Sequence, residues 1–249
     1  MKGNMKGKKK DRIFATKMKV RKFSFDKKVV NVFDDMVERS VPFYTEIERM
    51  VIELAVRFAQ RGTDIYDLGC STGTTILGMS EKIKTKNIKF IGVDNSIHMI
   101  ERTRKRLKAN DCRHRYELKQ WDLNNELFLR NPSVVILVLT LQFIRPIRRE
   151  VLIRQIYEKL SKNGCVIIVE KILSKDSVTN GLFRDFHFDY KKRRGYSELE
   201  IAQKREALEN ILIPYTLDEN ILLLRRNGFP IVETFFKWYN FAGLVAVKQ

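Results

Sequence analysis

Cysteine, histidine and acidic side chains are all in short supply in this chain, and each shortage excludes something. The three cysteines, Cys70, Cys112 and Cys165, show no paired spacing. That rules out a disulfide framework and a zinc-finger pattern, and the odd count fits a reducing compartment. The three histidines, His98, His114 and His187, are scattered and form no metal or general-base constellation, so no metal site is expected. No apolar run approaches the roughly 20 residues that span a bilayer; VVILVL at 134–139 suits a buried strand instead. The basic N-terminus has no apolar segment behind it and does not read as a secretory signal. A cytoplasmic protein without a membrane partner is expected. Acidic residues number 30 against 48 Lys and Arg, giving a net charge of +18. That sign suits anionic metabolites or nucleic acid, but solvated lysines produce it equally well, so direct nucleic-acid binding stays open.

Much of the positive charge lies in the first 30 residues, and residues 1–22 read as a basic flexible arm. Residues 23–249 read as one domain, with no internal repeat or linker. VVNVFDDMVER and VPFYTEIERMVIELAVRFAQ carry apolar residues at helical spacing, with Pro42 near a helix start. TDIYDLG, IKFIGVD, SVVILVL and CVIIVEKI are short apolar runs of the kind covered on both faces of a sheet, and RYELKQWD alternates weakly. Helical stretches separate them. Strands alternating with helices predict an α/β fold: a doubly wound, mostly parallel, seven-stranded Rossmann-like sheet. The alternation breaks at about 175–212, which read as a helical insertion with a turn at Arg194-Gly195. The runs IVETFFKWYN and AGLVAVKQ, separated by Phe241, predict an antiparallel C-terminal hairpin.

The stretch YDLGCSTGTT (66–75) carries the first chemical signal. Glycine turns between a strand and a helix commonly cradle phosphate, yet Asp67 at the mouth of this loop would repel it. With Asp94 closing the next strand, where an acid accepts hydrogen bonds from ribose hydroxyls, the layout favours a nucleoside bearing positive charge and no phosphate. S-adenosylmethionine, with its sulfonium and amino groups, fits. Asp122, after the third strand, is placed to meet an adenine amine while Leu123 covers the ring; on position alone, a solvated loop acid is an equal reading.

At this point the residues resemble one family. FSFDKKVVNVFDDMVERSVPFY, YDLGCSTGTT, IGVDNSIHMIER, LTLQFI, GYSELEIAQKREALEN and WYNFAGLVAVK are similar to the bacterial carboxy-S-adenosylmethionine synthases, over about Phe23 to Lys248. The resemblance implies a class I methyltransferase-like fold and conversion of S-adenosylmethionine and prephenate to carboxy-S-adenosylmethionine, phenylpyruvate and water. A separate transferase would use the product to build the 5-oxyacetyl group on tRNA wobble uridine. The resemblance also implies a homodimer, for which FFKWYNF (235–241) offers apolar surface. By position it assigns Tyr44, Gly69, Cys70, Ser71, Asp94, Asn95, Asp122 and Leu123 to the cofactor and Arg205 to the new carboxylate. Val138 stands where the family usually has asparagine near the methionine part of the cofactor.

Carboxylating a sulfonium methyl requires loss of a proton to give a ylide that captures CO2. The protein's task is then to exclude water and position charge rather than to supply a nucleophile. A guanidinium such as Arg205 can grip a carboxylate in a bidentate manner. Tyr196 could add a hydroxyl or equally be a packed aromatic, and Lys191, Lys192, Arg193 and Arg194 could attract a dianion, though such a run also suits a solvated helix face. Two other readings remain. One is a methyltransferase acting on RNA such as tRNA, favoured by the charge, although the nucleophile motifs of known base methylases are missing. The other is a basic RNA-binding module that has lost catalysis.

Overall fold

The structure is a computed structural model that describes residues 9–249. Its centre is a sheet in the order β3-β2-β1-β4-β5-β8-β7. Five strands are parallel: β1 (Asp64–Leu68), β2 (Lys89–Asp94), β3 (Arg115–Gln120), β4 (Pro132–Val138) and β5 (Cys165–Leu173). The antiparallel hairpin of β7 (Ile231–Trp238) and β8 (Phe241–Val247) completes it on the β5 side. The expected seven strands are all present, and a two-residue eighth, β6 (Tyr215–Thr216), pairs with the end of β5. Phe241 opens β8 rather than separating the last two strands; the turn falls on Tyr239-Asn240.

The continuous apolar runs are central strands because both faces of the sheet are covered. One face buries Val135, Leu137 and Ile168 against Ile153 of α5 (Pro146–Lys159) and Leu224 of α8 (Leu217–Arg226). The other buries Ile65, Val134 and Ile167 against α2 (Tyr44–Phe58), α3 (Thr74–Lys82) and α4 (Ile97–Ala109). Strand order reverses between β1 and β4, so a crevice opens beyond their carboxyl ends, where ligands of such sheets bind. The helical insertion consists of α6 (Ser177–Arg193) and α7 (Glu198–Leu208), joined through Gly195 at φ +85°. A capping box of Ser197 and Glu200 fixes the start of α7. The helix expected after Pro42 begins at Tyr44, behind Phe43 in the left-handed region at φ +56°.

The expected free arm needs correction. Residues 1–8 lie outside the described residues, but from Asp11 onward the segment is docked. Asp11 is buried, and its carboxylate accepts the Tyr196 hydroxyl at 2.6 Å. Gln203 of α7 donates to the carbonyls of Phe14 and Thr16 and accepts from the Met18 amide. The organiser is Arg39, in the last turn of α1 (Lys27–Ser40). Its guanidinium donates to the carbonyls of Arg194, Gly195 and Asp11, pairs with Asp35 and lies 3.9 Å from the Tyr196 ring centre. Basic composition predicted solvation; a few buried anchors, Asp11 and Phe14 above all, outweigh it.

Arg39→Met would strip partners from the buried Asp11 carbonyl and from three partly buried acceptors on Asp35, Arg194 and Gly195, and removing one partner from such a network costs about 3 kcal/mol. The expected drop in Tm is roughly 6–12 °C for a chain of this size, with faster tryptic cleavage after Lys17 and Lys19. An unchanged melt would sink the claim that this knot anchors the N-terminal segment.

Candidate active site

Nine residues singled out in the sequence come together in the crevice: Tyr44, Gly69, Cys70, Ser71, Asp94, Asn95, Asp122, Leu123 and Val138 all line one cavity. The loop after β1 explains its shape. Gly69 has φ +84°, and a Cβ there would lie 2.2 Å from Thr140 Oγ1, so only glycine lets the chain turn against that side chain. Ser71 is also left-handed, at φ +51°. Its amide donates to Asp94 Oδ2 at 3.0 Å and its carbonyl accepts from Thr103 at 2.6 Å. The Ser96 amide donates to Asp94 Oδ1 at 2.9 Å. Asp94 is thus held by two backbone donors with lone pairs left for ribose hydroxyls. Burial raises its pKa, and these two donors oppose the rise.

Asp67 answers to a different requirement. It lines the cavity, is buried, and its Oδ2 has no hydrogen-bond partner among the described residues. Nearby Glu48 accepts from Thr75 Oγ1 at 3.0 Å and from the Tyr44 hydroxyl. Burial first, then the Glu48 and Asp94 charges, hold the Asp67 carboxyl well above the usual carboxylate range. An orphaned buried oxygen within a group of acids is what a cationic ligand completes. The charge of this lining therefore suits a ligand that carries positive charge, such as a nucleoside with a sulfonium and an ammonium group.

Much of the remaining lining was not picked out from the sequence. Phe25 packs edge-on against Phe23, Phe33 and Phe143 at 5.2, 6.2 and 5.5 Å between ring centres, forming an aromatic wall that bears on the cavity. The FSF alternation was its one visible trace. Glu170 of β5 accepts the amides of Thr140, Leu141 and Gln142, fixing the turn that presses Thr140 against Gly69. Burial pushes its pKa up to about 8 against those three donors. Lys204 is the one Lys or Arg among the described residues that line the cavity.

The two residues expected to act on the carboxylate are elsewhere. Arg205 is exposed and outside the cavity of its own chain, its guanidinium carbon 5.8 Å from the Phe188 ring centre. On a helix, neighbours point about 100° apart, so α7 turns Lys204 inward and Arg205 outward. Tyr196 is buried beneath Arg39 with its hydroxyl committed to Asp11, where it steadies the insertion. The basic run after Tyr190 divides as well: Lys192 pairs with Glu198 on the surface while Lys191 turns inward. Asp122 keeps one oxygen on the Asn124 amide and side chain.

With this geometry in view, residues 65–164 match a family described as a methyltransferase domain. The carboxy-S-adenosyl-L-methionine synthase of Methylococcus capsulatus is 49% identical over 226 residues, covering 91% of this chain and 93% of that protein. The synthase of the same name from Desulfotalea psychrophila is 42% identical, covering 96% and 98%. Among solved structures, an O-methyltransferase family protein from Burkholderia thailandensis superposes with a TM-score of 0.63 at 20% identity, covering 90% of this chain and 61% of that one. Human N-acetylserotonin methyltransferase in complex with SAM gives 0.55 at 15%, covering 89% and 56%. These two likenesses show the fold, and the chain spans about three fifths of their lengths.

Asp67→Asn separates ligand binding from folding. Because burial raises its folded pKa, the stability this group contributes is present below the unfolded value and lost as pH rises through the raised one. The asparagine variant is expected to melt higher than the parent at pH 7 without ligand. It should bind S-adenosylmethionine about 10- to 100-fold more weakly by calorimetry, the scale of one buried charge pair, and the parent's gain in affinity with rising pH should disappear. Equal affinity in both proteins would refute the assignment.

Proposed function

Because this chain belongs to the carboxy-S-adenosyl-L-methionine synthase family, we propose that it converts S-adenosylmethionine and prephenate to carboxy-S-adenosylmethionine, phenylpyruvate and water. The observation that carries the reading is one cavity lined, among the described residues, by an orphaned buried carboxylate, Asp67, and by a single cation, Lys204, under an aromatic wall. A zwitterionic product, sulfonium with new carboxylate, requires both signs of charge. Aromatisation drives prephenate to release CO2 and hydroxide. The hydroxide removes a proton from the sulfonium methyl and leaves as water, while CO2 bonds to that carbon. Phe23, Phe25, Phe33 and Phe143 keep bulk water from the reacting carbon.

In this reading Asp94 and Asn95 take the ribose and adenine, Asp122 and Leu123 the adenine edge and face, and Tyr44, Gly69, Cys70 and Ser71 the methionine side. Val138 offers no amide there, and the polar neighbours of that position are Thr140 and Gln142, which also line the cavity. Arg205, exposed and outside its own cavity, would meet the new carboxylate only in a second copy, which accords with the homodimer that the resemblance implies. Tyr196 is a positioning residue. The product would pass to a separate tRNA carboxymethyltransferase for the 5-oxyacetyl group on wobble uridine. The rival reading, a methyltransferase acting on RNA, draws on the +18 net charge.

Denaturing the purified protein and weighing the released nucleoside decides between them. One CO2 more than S-adenosylmethionine is expected. S-adenosylmethionine alone, or its demethylated form, together with no carboxylated product when prephenate is supplied, would favour the methyltransferase.

A further inference from the structure

Three lysines from three elements gather beside the cavity, and among the described residues Asp11 alone comes within ion-pair reach of any of them. Lys204 of α7 donates to the Ser40 hydroxyl at 3.0 Å and lines the cavity. Lys191 occupies the last turn of α6, one turn after His187, whose Nε2 lies 2.8 Å from the Ser40 carbonyl. Lys171 follows Val169 on the same face of β5; its register partner on β8 is Phe241, whose ring packs edge-on against His187 at 5.1 Å. The Lys171 amide also donates to Gln142, a cavity residue. Ser40, His187 and Phe241 thereby bring the three lysines into one neighbourhood, in which all three act on His187 and of which Lys204 and Ser40 line the cavity.

Asp11, Asp35 and Glu200 are the acids that act on Lys204, whereas burial and the neighbouring lysines dominate at Lys191. Among the described residues the one carboxylate within ion-pair reach of the three ammonium groups is Asp11, 3.9 Å from Lys204 and already holding the Tyr196 hydroxyl. The Lys191 ammonium rests 5.9 Å from the Phe188 ring centre, and no carboxylate pairs with it or with Lys171 among the described residues. Burial, and then the neighbouring Lys204 and Lys171, hold Lys191 well below the usual lysine range; burial takes Lys204 down to about 8. A core gains stability when such cations are replaced by apolar side chains of like volume. Three such cations together, one of them lining a cavity whose other charged lining groups among the described residues are acids, call for an anion with more than one charge.

We propose that Lys171, Lys191 and Lys204 form a binding site for a small dicarboxylate, holding it against the sulfonium end of the cofactor cavity. As the seat of the CO2 donor, the site rests on the function proposed above. Lys204, whose ammonium offers two N–H groups beyond the Ser40 bond, faces the carboxylate next to the cofactor, while Lys171 and Lys191 hold the other.

Two readouts keep the site and the reaction apart. The first is calorimetry of the full-length protein, saturated with S-adenosylmethionine, titrated with phenylsuccinate as an unreactive aromatic dicarboxylate. The second is the KM for prephenate in formation of the carboxylated nucleoside. Lys171→Met and Lys191→Met should each weaken phenylsuccinate at least tenfold and raise the prephenate KM at least tenfold. S-adenosylmethionine affinity should stay within twofold, and Lys191→Arg should recover most of the loss. Both methionine variants should melt at or above the parent without ligand, whereas a lysine with a structural role would melt lower. Unchanged phenylsuccinate affinity in both methionine variants overturns the site. Lysine-dependent phenylsuccinate binding in a parent that makes no product from prephenate would uphold the site and overturn the reaction.

Discussion

Buried charge without a buried partner is the constraint around which this molecule is arranged. Asp67 has an oxygen with no hydrogen-bond partner among the described residues, and Glu48 and Asp94 stand close enough to raise its pKa. Lys171 and Lys191, with no paired carboxylate among the described residues, repeat the situation with the opposite sign, while the adjacent Lys204 has only Asp11 at 3.9 Å. Each group opposes folding while the cavity is empty, because desolvation outweighs what local partners return. The two signs are not placed to cancel each other. A ligand with a cationic centre and an adjacent anion relieves both, so the discharge that in most proteins happens within the core is here deferred to binding.

Holding that arrangement open takes rigid surroundings. The parallel strands provide one side: Gly69 turns tightly against Thr140, and Glu170 clamps the turn that carries Thr140 through three backbone amides. The docked N-terminal segment and the helical insertion provide the other. Arg39 joins them, satisfying carbonyls on the α6–α7 turn and on Asp11 at once. Tyr196, packed beneath it, orders the same junction. The element that looked most expendable, a lysine-rich N-terminus, thus supplies from Asp11 onward part of the frame around the site, and its continuation, Phe23 and Phe25, supplies part of the cavity wall.

Two departures in the site follow from the same geometry. Val138 keeps the cavity apolar at a position where polarity was expected, leaving polar contact near the end of β4 to Thr140 and Gln142. On α7 the inward cation is Lys204 and the outward one Arg205, so the helix presents one charge to its own cavity and another to whatever packs against it.

How far the sequence could be read depended on the range of the interactions. Short apolar runs, glycine turns and the spacing of Asp67, Gly69 and Asp94 reflect neighbours within a few residues, and they placed the strands and the loop and picked out residues that line one cavity. The two-residue strand β6 left no pattern of its own because it exists only through pairing with β5. The docking of Asp11 also depends on partners far along the chain: Tyr196 is 185 residues away and Arg39 is 28. Helical spacing put Arg205 near Ile201, but which face of α7 turns inward is settled by its packing on Ser40 and the N-terminal segment. The lysine cluster is assembled from β5, α6 and α7, and only the run around Lys191 hinted at it. Local chemistry, written in adjacent residues, thus determined the fold class and the cofactor loop. The sign and placement of the buried charges were decided by tertiary structure, because desolvation depends on what surrounds a group and not on what precedes it in the chain.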